Sequence, residues 1–216
     1  LASDGNIAVF QKDGTTVGKI FVSGDDMGHG TGDVGIRFLD TGQDRIIPRE
    51  TDNTSADAAI DLGDSGSRFK NLYLSGGVRL GGTGSANQLD DYEEGTATLT
   101  MSAITTAPTI TQGNTFTINY TKIGNLVRFV GYTGARNITN VGTGGAKFTG
   151  LPFAQAGSYY GHVTFAHTTA FSTDVAVGYI ESGNTFFYPI TISTSNPAIY
   201  QTGARYVMVQ GFYHTA

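Results

Sequence analysis

In the first 94 positions the apolar residues come in runs of two to six, and each run ends in a turn signal. Ile7-Ala8-Val9-Phe10, Ile20-Phe21-Val22, Val34 to Leu39, Ile46-Ile47 and Ala59 to Leu62 are runs of this kind. Asp13-Gly14, Gly24-Asp25, Gly42-Gln43 and Gly63-Asp64 separate them. Runs this short make short strands, and an isolated pair of such strands is marginal in water. Glycine is 31 of 216 residues and charged residues are 14%. That composition excludes a helical bundle or coiled coil, and no helical pattern longer than two turns occurs. A chain built this way buries little by itself. Intertwining identical chains would cover each strand face, so residues 1–80 are expected to form a β-rich stem in an oligomer.

Beyond residue 95 the pattern changes to longer alternating runs. Candidate strands are 96–104, 114–121, 126–132, 146–149, 158–168, 174–181, 185–193 and 205–214. Phe116, Ile118 and Tyr120 share one face, opposite Thr115, Thr117 and Asn119, as in a half-buried strand. Val175, Val177 and Tyr179 are expected to do the same. Tyr206, Met208 and Phe212 oppose Val207, Val209 and Tyr213, which predicts a strand buried on both faces. Gly183-Asn184 is a two-residue hairpin signal. Eight strands at this spacing predict an antiparallel β-sandwich of jelly-roll type over 96–216. The fold class is therefore all-β, a short-stranded intertwined stem followed by a sandwich tip.

The two halves differ in charge. Residues 1–94 carry 8 Lys and Arg against 16 Asp and Glu, and residues 95–216 carry 5 against 2. The step falls at a Gly-rich and acidic stretch, 81–95, which reads as a linker. The basic residues of the distal part are scattered, so no nucleic-acid stripe is expected. No run of about 18 apolar residues is present to span a membrane, and no signal peptide is visible. Cysteine is absent, which removes disulfides and thiolate metal sites. The pattern starts at Leu1 in the middle of a module, as in the C-terminal part of a longer chain.

The run RFKNLYLSGGVRLGGTGSANQLDDYEEGT (68–96) resembles a junction found in tail fibres of tailed bacteriophages, the marine ones especially. In them an R-F/W-K-N-L-Y-L strand closes a stem module and LDDYEEGT opens a distal one. Weaker similarity extends to QKDGTTVGKI (11–20), RIIPRE (45–50), YTKIGNLVRFVGY (120–132) and GLPF (150–153). The resemblance implies a virion protein made in the host cytoplasm and carried at the distal end of a fibre. It implies a homotrimer joined to upstream fibre and tail proteins. Its tip would bind a bacterial surface glycan or an outer-membrane receptor. Many such fibres continue into a self-cleaving chaperone; its opening motif is absent here, so that activity is not expected.

Catalytic and metal-binding sets are sparse. Asp25, Asp26, His29 and Asp33 lack the spacing of a calcium loop and read as a solvated turn. Asp57, Asp61 and Asp64 read as turn residues bonding nearby amides. The only acids beyond residue 95 are Asp174 and Glu181. Seven residues of strand would separate them by about 23 Å and turn them to opposite faces, unlike the carboxylate pair of a glycosidase. Asp90, Asp91, Glu93 and Glu94 read as a solvated run. His162 and His167 face opposite ways on a regular strand and cannot chelate one ion. No strand–turn–helix nucleophile elbow exists. No enzyme activity, cofactor or metal is expected, although a capsule or lipopolysaccharide depolymerase with an intersubunit site is the alternative, as is a purely structural fibre part.

A binding surface remains. In an antiparallel domain entered near Gly95, alternate loops lie at the far end, and those are 105–113, 133–145, 169–173 and 194–204. They hold Arg136, Asn137, Phe171, Asn196, Tyr200 and Gln201, the expected receptor-binding residues. The same loops and their edges also carry Asp174 and Arg205. Tyr159 and Tyr160 sit on a loop at the near end.

Overall fold

The computed structural model describes residues 3–215 except 41, 43, 192, 194 and 195. Gln43 of the expected Gly42-Gln43 turn, residue 192 of an expected strand, and residues 194 and 195 of an expected loop lie outside the described residues. The chain divides into two compact units, Leu1–Tyr73 and Leu74–Ala216. The division falls inside the RFKNLYL run.

The first unit is an antiparallel meander of five strands in sequence order. The strands are β1 (Gly5–Lys12), β2 (Thr15–Ser23), β3 (Asp26–Thr31), β4 (Val34–Leu39) and β5 (Arg45–Arg49). Asp13 and Gly14 both have left-handed φ, 50° and 78°, the geometry that matches a tight hairpin turn to strand twist. Phe21 and Ala56 are the only buried apolar residues of this unit among the described residues. The Phe21 ring lies where a Cβ on Gly28 would stand, 2.3 Å from Cζ. A buried polar knot does the remaining work. Arg37 pairs with Asp26 at 2.6 Å and donates to the Ser23 carbonyl and to Asn53 Oδ1. The Asp40 amide donates to Asp26, and this bond foremost holds the Asp26 carboxyl below its usual range; burial opposes it and Arg37 reinforces it.

The second unit opens with a small hairpin of β6 (Val78–Arg79) and β7 (Gln88–Leu89), with one 3₁₀ turn at Ser85–Asn87. Eight strands then close a barrel: β8 (Tyr92–Ala103), β10 (Thr115–Ile123), β11 (Leu126–Tyr132), β13 (Ala146–Thr149), β14 (Gly161–Ala166), β15 (Val177–Ile180), β16 (Phe186–Ile190) and β18 (Met208–His214). Around the barrel their order is β10-β11-β18-β14-β15-β16-β13-β8, and β8 returns to β10. Every neighbouring pair is antiparallel. Three short strands, β9 (Thr109–Ile110), β12 (Arg136–Asn140) and β17 (Gly203–Arg205), make a separate sheet.

All eight strands expected beyond residue 95 are staves of this barrel. The expected sandwich is not what they form, because the hydrogen bonding runs unbroken around the ring. Strand β8 makes the closure possible. It is 12 residues long; it pairs with β10 along Tyr92–Thr100 and with β13 along Thr100–Ala103.

Alternation decides what fills the interior. Leu99, Ile118, Phe129, Phe148, Val163, Phe187 and Tyr213 point inward and are essentially inaccessible. Eight staves leave an interior that side chains just fill, and here large rings are matched to glycines. A Cβ on Gly211 would lie 2.6 Å from the Phe129 ring, and one on Gly161 would lie 2.6 Å from Tyr213 Cβ. The Phe148 and Phe187 rings stack at 5.0 Å. On β15 the inward residues are Gly178 and Ile180, so Val177 and Tyr179 face out, opposite to the expectation. On β18 only Val209, Gly211 and Tyr213 are buried; Met208 and Phe212 are exposed within one chain.

Candidate functional site

The strand registers sort the loops by end. Tyr92, Ile123, Leu126, Thr149, Gly161, Ile180, Phe186 and His214 lie toward the end where the chain enters. The connections after β8, β11, β14 and β16 therefore all lie at the opposite end. They contain the four loops that alternation assigns to the far end. They are not four independent arms. Strand β12 pairs with β9 on one side and β17 on the other, Thr106 bridges Thr143, and Phe171 bridges Tyr200. Together they lid that mouth of the barrel.

The six expected contact residues divide by role in this lid. Arg136 is a clasp: its guanidinium donates to the carbonyls of Thr133, Gln112, Gly113 and Thr115 at 2.8–3.2 Å. The Asn137 amide donates to Gln112 Oε1, and its side chain is exposed. Asn196 is exposed, and its carbonyl accepts from the Thr191 amide. Phe171 and Tyr200 stack on each other at 5.6 Å, 5% and 2% exposed, with Phe171 against Phe165 and both against Phe148. They plug the mouth of the barrel, stacked on each other and packed edgewise with Phe148. Burial pushes the Tyr200 phenol well above its usual range, and its hydroxyl has no protein partner. Gln201 donates its side-chain amide to the Phe171 carbonyl and holds the plug in register.

Beside the plug lies a cleft of about 340 Å³, lined by Thr168, Thr169, Thr173, Asp174, Gln201 and Arg205 over an edge of Phe171. Small-molecule sites run from about 300 to 1,000 Å³, so this one takes a single ring-sized group. Asp174 and Arg205 both line it, yet no ion pair within 4.0 Å forms between them. Among the described residues Arg205 spends only Nε, on the Thr202 carbonyl at 2.8 Å. In the ladder it stands opposite Arg136, whose donors are already committed. Among the described residues the cleft thus presents an unpaired carboxylate, a guanidinium with idle donors and the Thr173 hydroxyl, while the Thr168 and Thr169 hydroxyls are bonded to the Tyr206 backbone. That set suits a ligand that offers both donors and acceptors on neighbouring atoms.

Alternation finds the right loops for this cleft but not its members. Asp174 and Arg205 are flanking residues in the sequence, brought together because the segment after β14 bonds to the segment before β18: the Thr169 amide donates to the Tyr206 carbonyl, and the Gln201 amide to that of Ala170. Three threonines in one segment, at 168, 169 and 173, are the signal that sequence reading leaves unused.

Other candidates have structural partners. Asp26 of the Asp25–Asp33 turn is in the Arg37 knot, and the His29 ring lies 6.1 Å from that of Phe38. Among the described residues no cluster of three metal-ligating side chains forms. Asp91 of the acidic run binds the buried Lys122, which also sits over the Phe153 ring at 5.5 Å, and Glu93 accepts from Tyr120. The run anchors the entering chain to the barrel rather than lying free. Asp174 and Glu181 flank β15 from opposite ends of the barrel. No helix among the described residues is long and apolar enough to cross a membrane. Comparisons with family models, curated proteins and solved structures find no match.

Proposed function

We propose that this chain is the distal end of a bacteriophage tail fibre, a self-assembling stem that carries a β-barrel tip for adsorption to a bacterial surface saccharide. The observation that carries the reading is the polar cleft of Asp174, Arg205, Gln201 and three threonines, held at the end of the barrel opposite the entering chain. Sugars present adjacent hydroxyls that donate and accept at once. A carboxylate and a guanidinium that are not spent on each other answer both roles. The location is where a fibre meets its target.

Two further features support it. The stem unit leaves Ile7, Val9, Phe10, Val34 and Ile46 exposed and has an apolar cavity of about 650 Å³ lined by Phe10, Ile20, Val34, Ile36 and Ile60. Apolar area of this kind needs a cover, and copies of the same chain, three in the fibres that 68–96 resembles, are the simplest one. The barrel interior is apolar, unlike the polar lumen of a porin-type membrane barrel, and the outward positions of β8 and β10 are rich in threonine. A depolymerase would need a second carboxylate near Asp174, and within one chain Glu181 is at the other end of the barrel, toward the entering chain. The binding reading requires no such partner.

The test is adsorption of the purified chain to a panel of bacterial strains, each with and without its surface polysaccharide. Binding to one strain that is lost with the polysaccharide, and lost with Arg205→Ala and Asp174→Asn, is the expected result. Adsorption that survives both substitutions, or no adsorption to any strain, contradicts it.

A further inference from the structure

The cleft is small, and a second feature adjoins it along the chain. Thr168 and Thr169 on one wall and Arg205 on another continue directly into His167 and Tyr206. There the rings of Tyr132, His167 and Tyr206 gather. His167 lies 4.3 Å from Tyr206 and 5.8 Å from Tyr132, nearly parallel to Tyr132 at 24°, and the two tyrosines are 6.4 Å apart. Tyr132 is 48% exposed and His167 is also exposed.

The backbone is bent to build this group. His167 has a left-handed φ of 45° immediately after β14, a conformation disfavoured for a residue with a Cβ. The strained turn is pinned from both sides, by Thr168 Oγ1 and the Thr169 amide on the Tyr206 carbonyl and by the Tyr206 amide on Thr169 Oγ1. These threonines also line the cleft. One local device thus sets the cleft wall and holds the imidazole against both tyrosines.

Neither phenol hydroxyl nor the His167 ring makes a side-chain hydrogen bond among the described residues. An apolar protein surface laid over them would desolvate three polar groups without return. A ligand with C–H faces and hydroxyl edges would use both the ring faces and the handles.

We propose that Tyr132, His167 and Tyr206 form a stacking platform that continues the cleft, so that the whole site takes an oligosaccharide of at least two sugar units. One unit occupies the Asp174–Arg205 cleft and the next lies on the platform. This rests on the saccharide reading of the cleft, and it adds a preference for chain length and an aromatic specificity determinant outside the cleft.

The experiment screens the full chain against immobilised bacterial O-polysaccharides and capsular polysaccharides. The best binder is then titrated by calorimetry as its repeat-unit oligosaccharide and as its component monosaccharides. The variants are His167→Gly, Tyr132→Ala and Arg205→Ala. Glycine relieves the left-handed φ at 167, so His167→Gly keeps the fold and decides the matter if Tyr132→Ala melts early. The expected result is that the oligosaccharide binds at least about tenfold tighter than any monosaccharide. His167→Gly and Tyr132→Ala each remove about fivefold or more of that advantage. Arg205→Ala weakens both ligands together. If the platform variants keep the full chain-length advantage, the platform is refuted and the cleft stands. If no polysaccharide binds, or Arg205→Ala binds normally, the cleft reading fails and the platform fails with it.

Discussion

The five-stranded sheet and the barrel use the same antiparallel pairing and differ in what they can bury. Among the described residues the barrel unit holds a cluster of 23 buried apolar residues. The sheet unit holds Phe21 and Ala56, with an ion pair in place of a core. Closing a sheet on itself gives every inward side chain partners on all sides, whereas a meander has two faces and an edge at each end. The barrel can therefore find its stability within one chain, and the sheet is left with little core of its own. That difference is what the reading proposed above, a stem completed by other copies and a self-sufficient tip, would require.

The comparison can be broken from the barrel side first. Phe148→Ala removes the ring at the centre of the aromatic cluster and should cost about 3–5 kcal/mol. Two-transition denaturant unfolding should show that loss in the barrel transition alone. Gly211→Val forces side-chain atoms against Phe129 and should cost about 1–3 kcal/mol in the same transition. A stem transition that moves with either substitution would mean that the two units unfold as one.

Acid sharpens the difference from the other side. The folded Asp26 carboxyl titrates below its unfolded value of 3.8. Its contribution is therefore full above about pH 4 and is lost as pH falls through the lowered folded value. The stem transition should weaken in that window and the barrel transition should hold. Asp26→Asn should shrink the acid step while lowering stem stability at neutral pH, leaving the share of Asp52, whose carboxyl the Thr54 amide also holds below its usual range. The smallest effects on stability belong to the cleft. Asp174→Asn and Arg205→Ala should move the barrel transition by no more than about 0.5 kcal/mol, so their loss of adsorption reads out binding alone.

Much of the barrel is legible in the sequence because alternation is local. Phe116-Ile118-Tyr120 and Val209-Tyr213 announce their strands without reference to anything distant. Closure is not legible, since it depends on which edge of β8 meets β13, a pairing across some 45 residues. The lid strands escape for another reason. β9, β12 and β17 are two to five residues long and largely polar, and only their mutual pairing makes them strands. Phe171 and Tyr200 show the same limit at the level of single residues. They lie in loops, where an aromatic ring reads as exposed, but these loops fold across the barrel mouth and bury them. Arg205 and Asp174 become neighbours only through that folding.

The claim that the stem is completed by copies of the chain while the barrel completes itself has one direct measurement. Thermal unfolding of the intact chain is followed over a hundredfold range of protein concentration. Binding that exists only in the folded state raises the midpoint with concentration. The lower, stem transition should therefore climb steadily as the protein is concentrated, and the upper, barrel transition should stay fixed. A stem transition that is independent of concentration, in a chain that sediments at its own 22.7 kDa, would contradict the account.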